Sequence, residues 1–222
     1  MTLFDKHTIN RIQWQQLVES SNCGSWFQTP DAFDFYSSLS FLQPFVFGVA
    51  EKEELTGVIS GFIQADGGPV KRFFSRRAIV NGGALLHQNI SEEALRKLLQ
   101  KTQHELKTQA IYIEFRNFRD YSGYKTVFEK AHFNYRPHLN FQVATPDIDF
   151  CLKNLHASKR RDVKLSQKNG VEWMLTESQS DLESFHSLLK KLYITKVKTP
   201  LFPYEFFERL IIDKNWKIFI VK

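Results

Sequence analysis

Residues 158–171 read SKRRDVKLSQKNGV, and the 222-residue chain divides on either side of them. Lys159, Arg160, Arg161, Lys164 and Lys168 stand against Asp162 alone, a local surplus of +4 within a formal net charge of +6. Arg160, Lys164 and Lys168 recur at i, i+4 and i+8, so a helix here carries them on one face. Asn169-Gly170 then supplies the left-handed stop that helix ends favour. Cations aligned in this way suit phosphate or pyrophosphate groups. A solvated basic helix joining two domains is the plainer reading of the same charges.

On the N-terminal side the pattern is helix, helix, strand, strand, strand, helix, strand, helix, strand. Asn10 opens the first helix, with Trp14, Leu17 and Val18 on its apolar face. Thr29-Pro30 opens the second, which carries Phe33, Tyr36 and Leu39. Phe45–Glu51 and Leu55–Gln64 are rich in β-branched and aromatic residues and read as a hairpin across Lys52-Glu53-Glu54. After the turn Asp66-Gly67-Gly68-Pro69, a further strand is expected from Val70 to Phe74, then Ala78-Ile79-Val80 leading into Asn81-Gly82-Gly83. Ser91 caps a helix whose Leu95, Leu98, Leu99, Thr102 and Leu106 fall on one face. A strand over Ala110–Phe115, a short helix over Tyr124–Ala131 and a long strand over Tyr135–Ala144 complete the unit. This order implies an α/β (α+β) sheet, antiparallel early and with a crossover later.

On the C-terminal side a strand is expected over Val171–Leu175. Ser180 and Glu183 form a capping box for a helix to about Lys196. A second helix follows over Pro203–Ile212, then a strand over Trp216–Val221. Helix-start signals at Asn10 and Ser180, Thr-Pro pairs at Thr29 and Thr199, and strand starts at Phe45 and Trp216 lie 170, 170 and 171 residues apart. Tyr36 aligns with Phe206 at the same spacing. One order at one offset predicts an internal repeat. The expected division is a first domain over 1–146, a basic connector helix over 147–170, and an incomplete second copy over 171–222.

Composition narrows the function classes. Hydrophobic residues make up 42% and charged residues 24%, ordinary for a folded protein, so wholesale disorder is excluded. The 21 phenylalanines point to aromatic packing. Cys23 and Cys151 are too few and too far apart for a disulfide framework or a cysteine zinc site. The histidines show no i, i+4 pair, so no metal is expected. The first residues lack the apolar core of a signal peptide, and no apolar run reaches membrane-spanning length. A soluble cytoplasmic protein is the expectation. Asp66-Gly67-Gly68 and Asn81-Gly82-Gly83 match no phosphate-loop fingerprint and read as turns.

The basic S-K-R-R-D-V-x-x-x-x-x-N-G-V helix, set between a GNAT-like unit and the opening of another, resembles the linker of the Fem-type aminoacyltransferases. Trp26-Phe27-Gln28-Thr29 before the second helix and Arg76-Arg77-Ala78-Ile79-Val80-Asn81-Gly82-Gly83 after the third strand carry the same resemblance. The resemblance covers essentially the whole chain. It implies a GNAT-like mixed sheet with flanking helices, the connector, and a partial second GNAT-like unit. It also implies transfer of an amino acid from aminoacyl-tRNA to the amino group of a peptidoglycan precursor. The acceptor would be a nucleotide-sugar peptide or a lipid-linked cell-wall precursor, and tRNA a partner as donor carrier. By the same resemblance Arg160, Arg161 and Lys164 become phosphate ligands, with Arg76 and Arg77 beside them, and Gln28, Phe33 and Tyr36 border the groove.

Such chemistry starts from an activated ester, so the protein must orient an amine and stabilise an oxyanion, and no nucleophilic triad or cofactor is required. Two other readings stay open. One is an acyl-CoA-dependent N-acyltransferase acting on a small amine or a nucleotide sugar, although the stretch His87-Gln88-Asn89-Ile90 lacks that class's pyrophosphate loop. The other is a non-enzymatic nucleic-acid binder using the basic helix on a phosphate backbone.

Overall fold

The computed structural model describes residues 1–176 and 178–221, with only the backbone of Pro69. The chain forms two compact units, residues 1–137 and 138–222.

In the first unit β1 (Thr2–Asp5) precedes α1 (Arg11–Ser20). The Asn10 side chain accepts hydrogen bonds from the Ile12 and Gln13 amides at the start of α1. A 3₁₀ turn over Trp26–Gln28 leads into α2 (Pro30–Ser37), where Thr29 caps the Ala32 amide and proline sits in the first turn. The hairpin β2 (Leu42–Glu51) and β3 (Glu54–Gln64) turns through Lys52 and Glu53, both at positive φ. Then follow α3 (Pro69–Ser75), β4 (Arg77–Gly82), β5 (Leu85–Leu86) and α4 (Glu92–Leu106). Ser91 caps α4 through the Ala94 amide, as its sequence requires. The unit continues with β6 (Tyr112–Asn117), a 3₁₀ turn over Ser122–Tyr124, and α5 (Lys125–Lys130).

The sheet runs β1-β2-β3-β4-β6, with β5 paired to β3; β4 and β6 are parallel and the other pairs antiparallel. Strand alternation sends Val46 and Val58 to one face, against Trp14 and Leu17 of α1. It sends Phe45, Phe47, Val49 and Ile59 to the other, against Leu95, Leu98, Leu99 and Leu106 of α4. Each buried leucine of α4 contributes about 1.5–3 kcal/mol of gross transfer free energy, which fixes α4 across the sheet. The mixed sheet and its one crossover match the expected α/β class.

The second unit contains α6 (Ile148–Asn154), capped by Asp147, then α7 (Ala157–Lys168) and β7 (Trp173–Leu175). These are followed by α8 (Gln179–Leu192), a π turn over Tyr193–Val197, α9 (Tyr204–Ile212) and β8 (Phe219–Val221). β7 and β8 pair antiparallel. Leu182 of α8 and Phe207 of α9 are buried, and the Phe185 and Phe207 rings meet edge to face at 5.9 Å.

Three sequence expectations are corrected. Val70–Phe74 is helical, part of α3, because proline in the first turn starts a helix and the Ser75 hydroxyl closes it onto Asp66. Tyr135–Ala144 forms no strand; Leu139, Phe141 and Val143 alternate as a strand would but are 82–90% exposed, without a buried face to hold a register. The second unit's first helix caps at Ser178, not Ser180. Its second helix, Tyr204–Ile212, runs as expected, with Pro203 at its N-cap. Sequence reading had no signal for β1 or α6.

Candidate functional site

In the first unit the sheet is interrupted at Gly82-Gly83. Ile79 stands opposite Phe62 and Leu85 opposite Val58, so six residues along β4–β5 span four along β3. Two residues bulge out, and both Gly82 and Gly83 sit at φ +86. The parallel β4–β6 ladder ends at Gly82 opposite Asn117, while β5 follows β3. The two strands part here.

Polar side chains converge on this break. Gln28 is 1% exposed, and its amide nitrogen donates to the Gly83 carbonyl at 3.0 Å and the Gly82 carbonyl at 3.4 Å. Its amide oxygen accepts from the Ser25 hydroxyl at 2.8 Å. The Trp14 indole fixes the same residue by donating to the Gln28 carbonyl at 2.7 Å. The Tyr121 hydroxyl donates to the Ala84 carbonyl. The buried Asn117 Oδ1 has no hydrogen-bond partner among the described residues, and a Cβ on Gly83 would collide with it.

Burial dominates the titration of this cluster. It raises the Tyr36 hydroxyl to about 12, offset in part by a hydrogen bond to the Asn81 side chain. It raises Tyr121 further, with the neighbouring Cys23 adding to the shift. Both tyrosines are neutral at physiological pH, and Tyr121 serves as a donor.

Of the residues the resemblance put along a groove, Gln28 and Tyr36 are instead buried, and Phe33 is half-buried. Tyr36 lies 4.6 Å from the Phe62 ring, and Phe33 lies edge-on to Trp14 at 6.1 Å. Gln28 acts on the strand break through hydrogen bonds, which its place beside Trp26-Phe27 did not announce. Ser25, Asn117 and Tyr121 were missed altogether. The signal that could have located them is the Gly82-Gly83 pair following an apolar strand.

Arg76 and Arg77 are engaged within the first unit. Arg77 pairs with Asp66 at 2.9 Å, both side chains largely shielded from solvent. Arg76 donates to the Phe73 and Thr108 carbonyls at 3.1 and 3.3 Å, its guanidinium lying 4.4 Å from the centre of the Phe73 ring.

In the second unit the basic stretch is helical, as read. Gly170 supplies the left-handed stop at φ +76, and the Val171 amide returns to the Ser166 carbonyl at 3.0 Å. Arg160, however, turns back to donate to the Lys153 and Leu152 carbonyls at 2.9 and 3.3 Å, closing the end of α6. Lys159 pairs with Asp162 at 3.4 Å. Arg161, Lys164 and Lys168 are exposed and form no ion pair among the described residues. Their spacing of i, i+3 and i+7 places them on one face, so the cation row is rotated from the one expected.

Among the described residues no His, Cys, Asp and Glu group is placed to hold a metal ion, and no helix is long and apolar enough to cross a membrane. No family model and no curated protein matches the sequence. Among solved structures, FemX matches all of this chain with a TM-score of 0.64 at 17% identity. The chain spans 57% of the length of FemX. Two smaller proteins match with lower scores. Glucosamine-6-phosphate N-acetyltransferase from Arabidopsis thaliana covers 64% of this chain and 99% of its own, at 8% identity and a TM-score of 0.44. A putative acetyltransferase from Agrobacterium tumefaciens covers 65% of this chain and 100% of its own, at 12% identity and a TM-score of 0.43. The fold is therefore shared with FemX through both units.

Proposed function

We propose that the protein is a Fem-type acyltransferase, moving an aminoacyl group from aminoacyl-tRNA to the amino group of a peptidoglycan precursor. The observation that supports this most directly is the match to FemX along the entire chain, connector helix included. In this reading Arg161 and Lys164, with Lys168 one turn on, hold the phosphates of a nucleotide-sugar peptide or lipid-linked precursor. Arg160 sets the corner between α6 and α7 that aims them. Guanidinium and ammonium groups favour phosphate oxygens through charge-assisted hydrogen bonds.

The break at Gly82-Gly83 suits an extended chain carrying an amide or an activated ester. The Gly82, Gly83 and Ala84 carbonyls are already taken by Gln28 and Tyr121, so backbone amides leaving the ladder where the strands part would orient the acyl carbonyl. Asn117 Oδ1 supplies an acceptor for a substrate N–H. The attacking amine must arrive unprotonated, and the donor ester provides the leaving group, so no enzyme nucleophile is consumed.

The test is calorimetric titration with a uridine-diphosphate sugar peptide. An Arg161→Ala, Lys164→Ala double variant should lose roughly 10- to 100-fold in affinity while unfolding at an unchanged temperature. Equal affinity in wild type and variant removes the phosphate role. Stabilisation by acetyl-CoA, with no response to the sugar peptide, would reassign the protein to acyl-CoA chemistry.

A further inference from the structure

The short helix α3, PVKRFFS, is amphipathic and has its apolar side turned to solvent. Val70, Phe73 and Phe74 recur at i, i+3 and i+4, and their exposures are 74%, 57% and 70%. Ser75, on the opposite side of the helix, is tied down. Its hydroxyl accepts from the Asp66 amide at 2.8 Å and donates to the Asp66 carbonyl at 3.0 Å. Anchoring the polar side to the body of the unit forces the apolar side outward. A surface helix normally does the reverse. Exposed aliphatic and aromatic side chains clustered in this way mark a contact surface.

The surrounding charge selects the occupant. Lys71, Arg72 and Arg76 frame the apolar trio, and the stretch from Gly67 to Arg77 contains no acid. Asp66, just before it, is already paired with Arg77. Phenylalanine flanked by lysine and arginine is the composition of a helix lying in the headgroup region of an anionic bilayer. One seven-residue helix is too small for a stable protein interface, which needs about 800 Å² from each partner. A second copy would also set one cation cluster against another. Single-stranded RNA needs open aromatic faces to stack on. Here the Arg76 guanidinium covers one face of Phe73, and Phe73 and Phe74 meet edge to face at an interplanar angle of 84°.

We infer that α3 is a membrane-surface docking element, inserting Val70, Phe73 and Phe74 among the acyl chains of an anionic leaflet while Lys71, Arg72 and Arg76 meet its headgroups. The protein is thereby held at a bilayer without crossing it.

The experiment is sedimentation of the full chain with phosphatidylcholine vesicles, with and without phosphatidylglycerol. Wild type should bind only the anionic vesicles, and less as salt rises. Phe73→Ser, Phe74→Ser and Lys71→Ser, Arg72→Ser double variants should each lose about tenfold or more in partitioning. Because these side chains are exposed, thermal unfolding should be unaffected. A Phe74→Trp chain gives an independent readout, since brominated acyl chains should quench its fluorescence. Equal binding to neutral vesicles, undiminished binding by the phenylalanine variant, or an unquenched tryptophan overturns the inference. So does phenylalanine-dependent self-association or RNA binding without vesicle binding. Affinity for the soluble sugar peptide should be untouched by these variants, which separates this inference from the phosphate role of α7.

Discussion

The two units open in the same way, and one opening is buried while the other is not. β1, α1, α2 and β2 recur as β7, α8, α9 and β8, and in both cases the first and last strands of the set pair antiparallel. The fourth residue of the leading helix is fully buried in each, Trp14 in one and Leu182 in the other. Beyond that they diverge. β2 is also paired by β3 and covered by α4, whereas Leu182, Phe207 and Thr176 are the buried residues among those described in the second unit. Trp173 and Phe219, in the paired strands, remain 69% and 56% exposed. A strand–helix–helix–strand segment thus carries its own order and pairing, but its core comes from the sheet built onto it.

The sharpest way to break the comparison is to hollow both helices at the same point. Trp14→Ala removes a side chain buried against Val46, Leu55, Val58 and Leu85 and orphans the Gln28 carbonyl, so it should cost roughly 3–5 kcal/mol in denaturant unfolding. Leu182→Ala should cost less, about 2 kcal/mol, because its surroundings can close on the space. Equal losses would mean that both openings have complete cores.

The strand break should respond next. Gly83→Ala combines φ +86 with a Cβ that would overlap Asn117 Oδ1 and lie 2.9 Å from the Tyr121 ring, both held in buried surroundings. A loss of about 2–3 kcal/mol is expected, together with weaker substrate binding. Unchanged stability would show that the bulge is pliant and cannot orient a substrate.

Alkaline pH gives a third handle, and it acts through the first unit. Tyr36 titrates near 10 when unfolded and at about 12 when folded, so the folded state favours the neutral hydroxyl. The associated stability is complete below pH 10 and is lost as pH rises toward 12, on the order of 2 kcal/mol. Tyr36→Phe should flatten this limb of the stability–pH curve. A curve as steep as that of wild type would assign the loss to Tyr121 instead.

These residues also show what the sequence could and could not reveal. Apolar spacing locates α1, α4 and α8, and capping residues locate the starts of α1, α2 and α4, because both are local signals. Tyr135–Ala144 mimics a strand because alternation reports a face that could be buried, not one that is. α3 mimics one too, because Val-Lys-Arg-Phe-Phe satisfies strand composition, and its helical state depends on proline and on Ser75 reaching Asp66. At the candidate site, the motifs pick out Gln28 and Gly82-Gly83 separately, but not Ser25, Asn117 or Tyr121. Gly82-Gly83, Asn117 and Tyr121 meet only through tertiary pairing. On α7 the charge run is legible, yet which cations remain available is decided by Arg160 reaching carbonyls seven and eight residues back.

The smallest expected effect isolates backbone conformation from packing. Gly170 shares the positive φ of Gly83, at +76, but a Cβ there meets nothing within 4 Å. Gly170→Ala should therefore cost only the left-handed penalty, roughly 1 kcal/mol, read as fraying of the end of α7. Helical circular dichroism and hydrogen exchange at the Gly170 and Val171 amides, which close onto Gln167 and Ser166, would report it. The difference between the two glycine variants is then the packing contribution at the strand break alone. If Gly170→Ala proves as costly as Gly83→Ala, left-handed strain accounts for both, and the crowding of Asn117 and Tyr121 around Gly83 has no measurable weight. If the two differ by the expected ~1–2 kcal/mol, the break in the first unit is a rigid, close-packed feature, as a site that must orient its substrate requires.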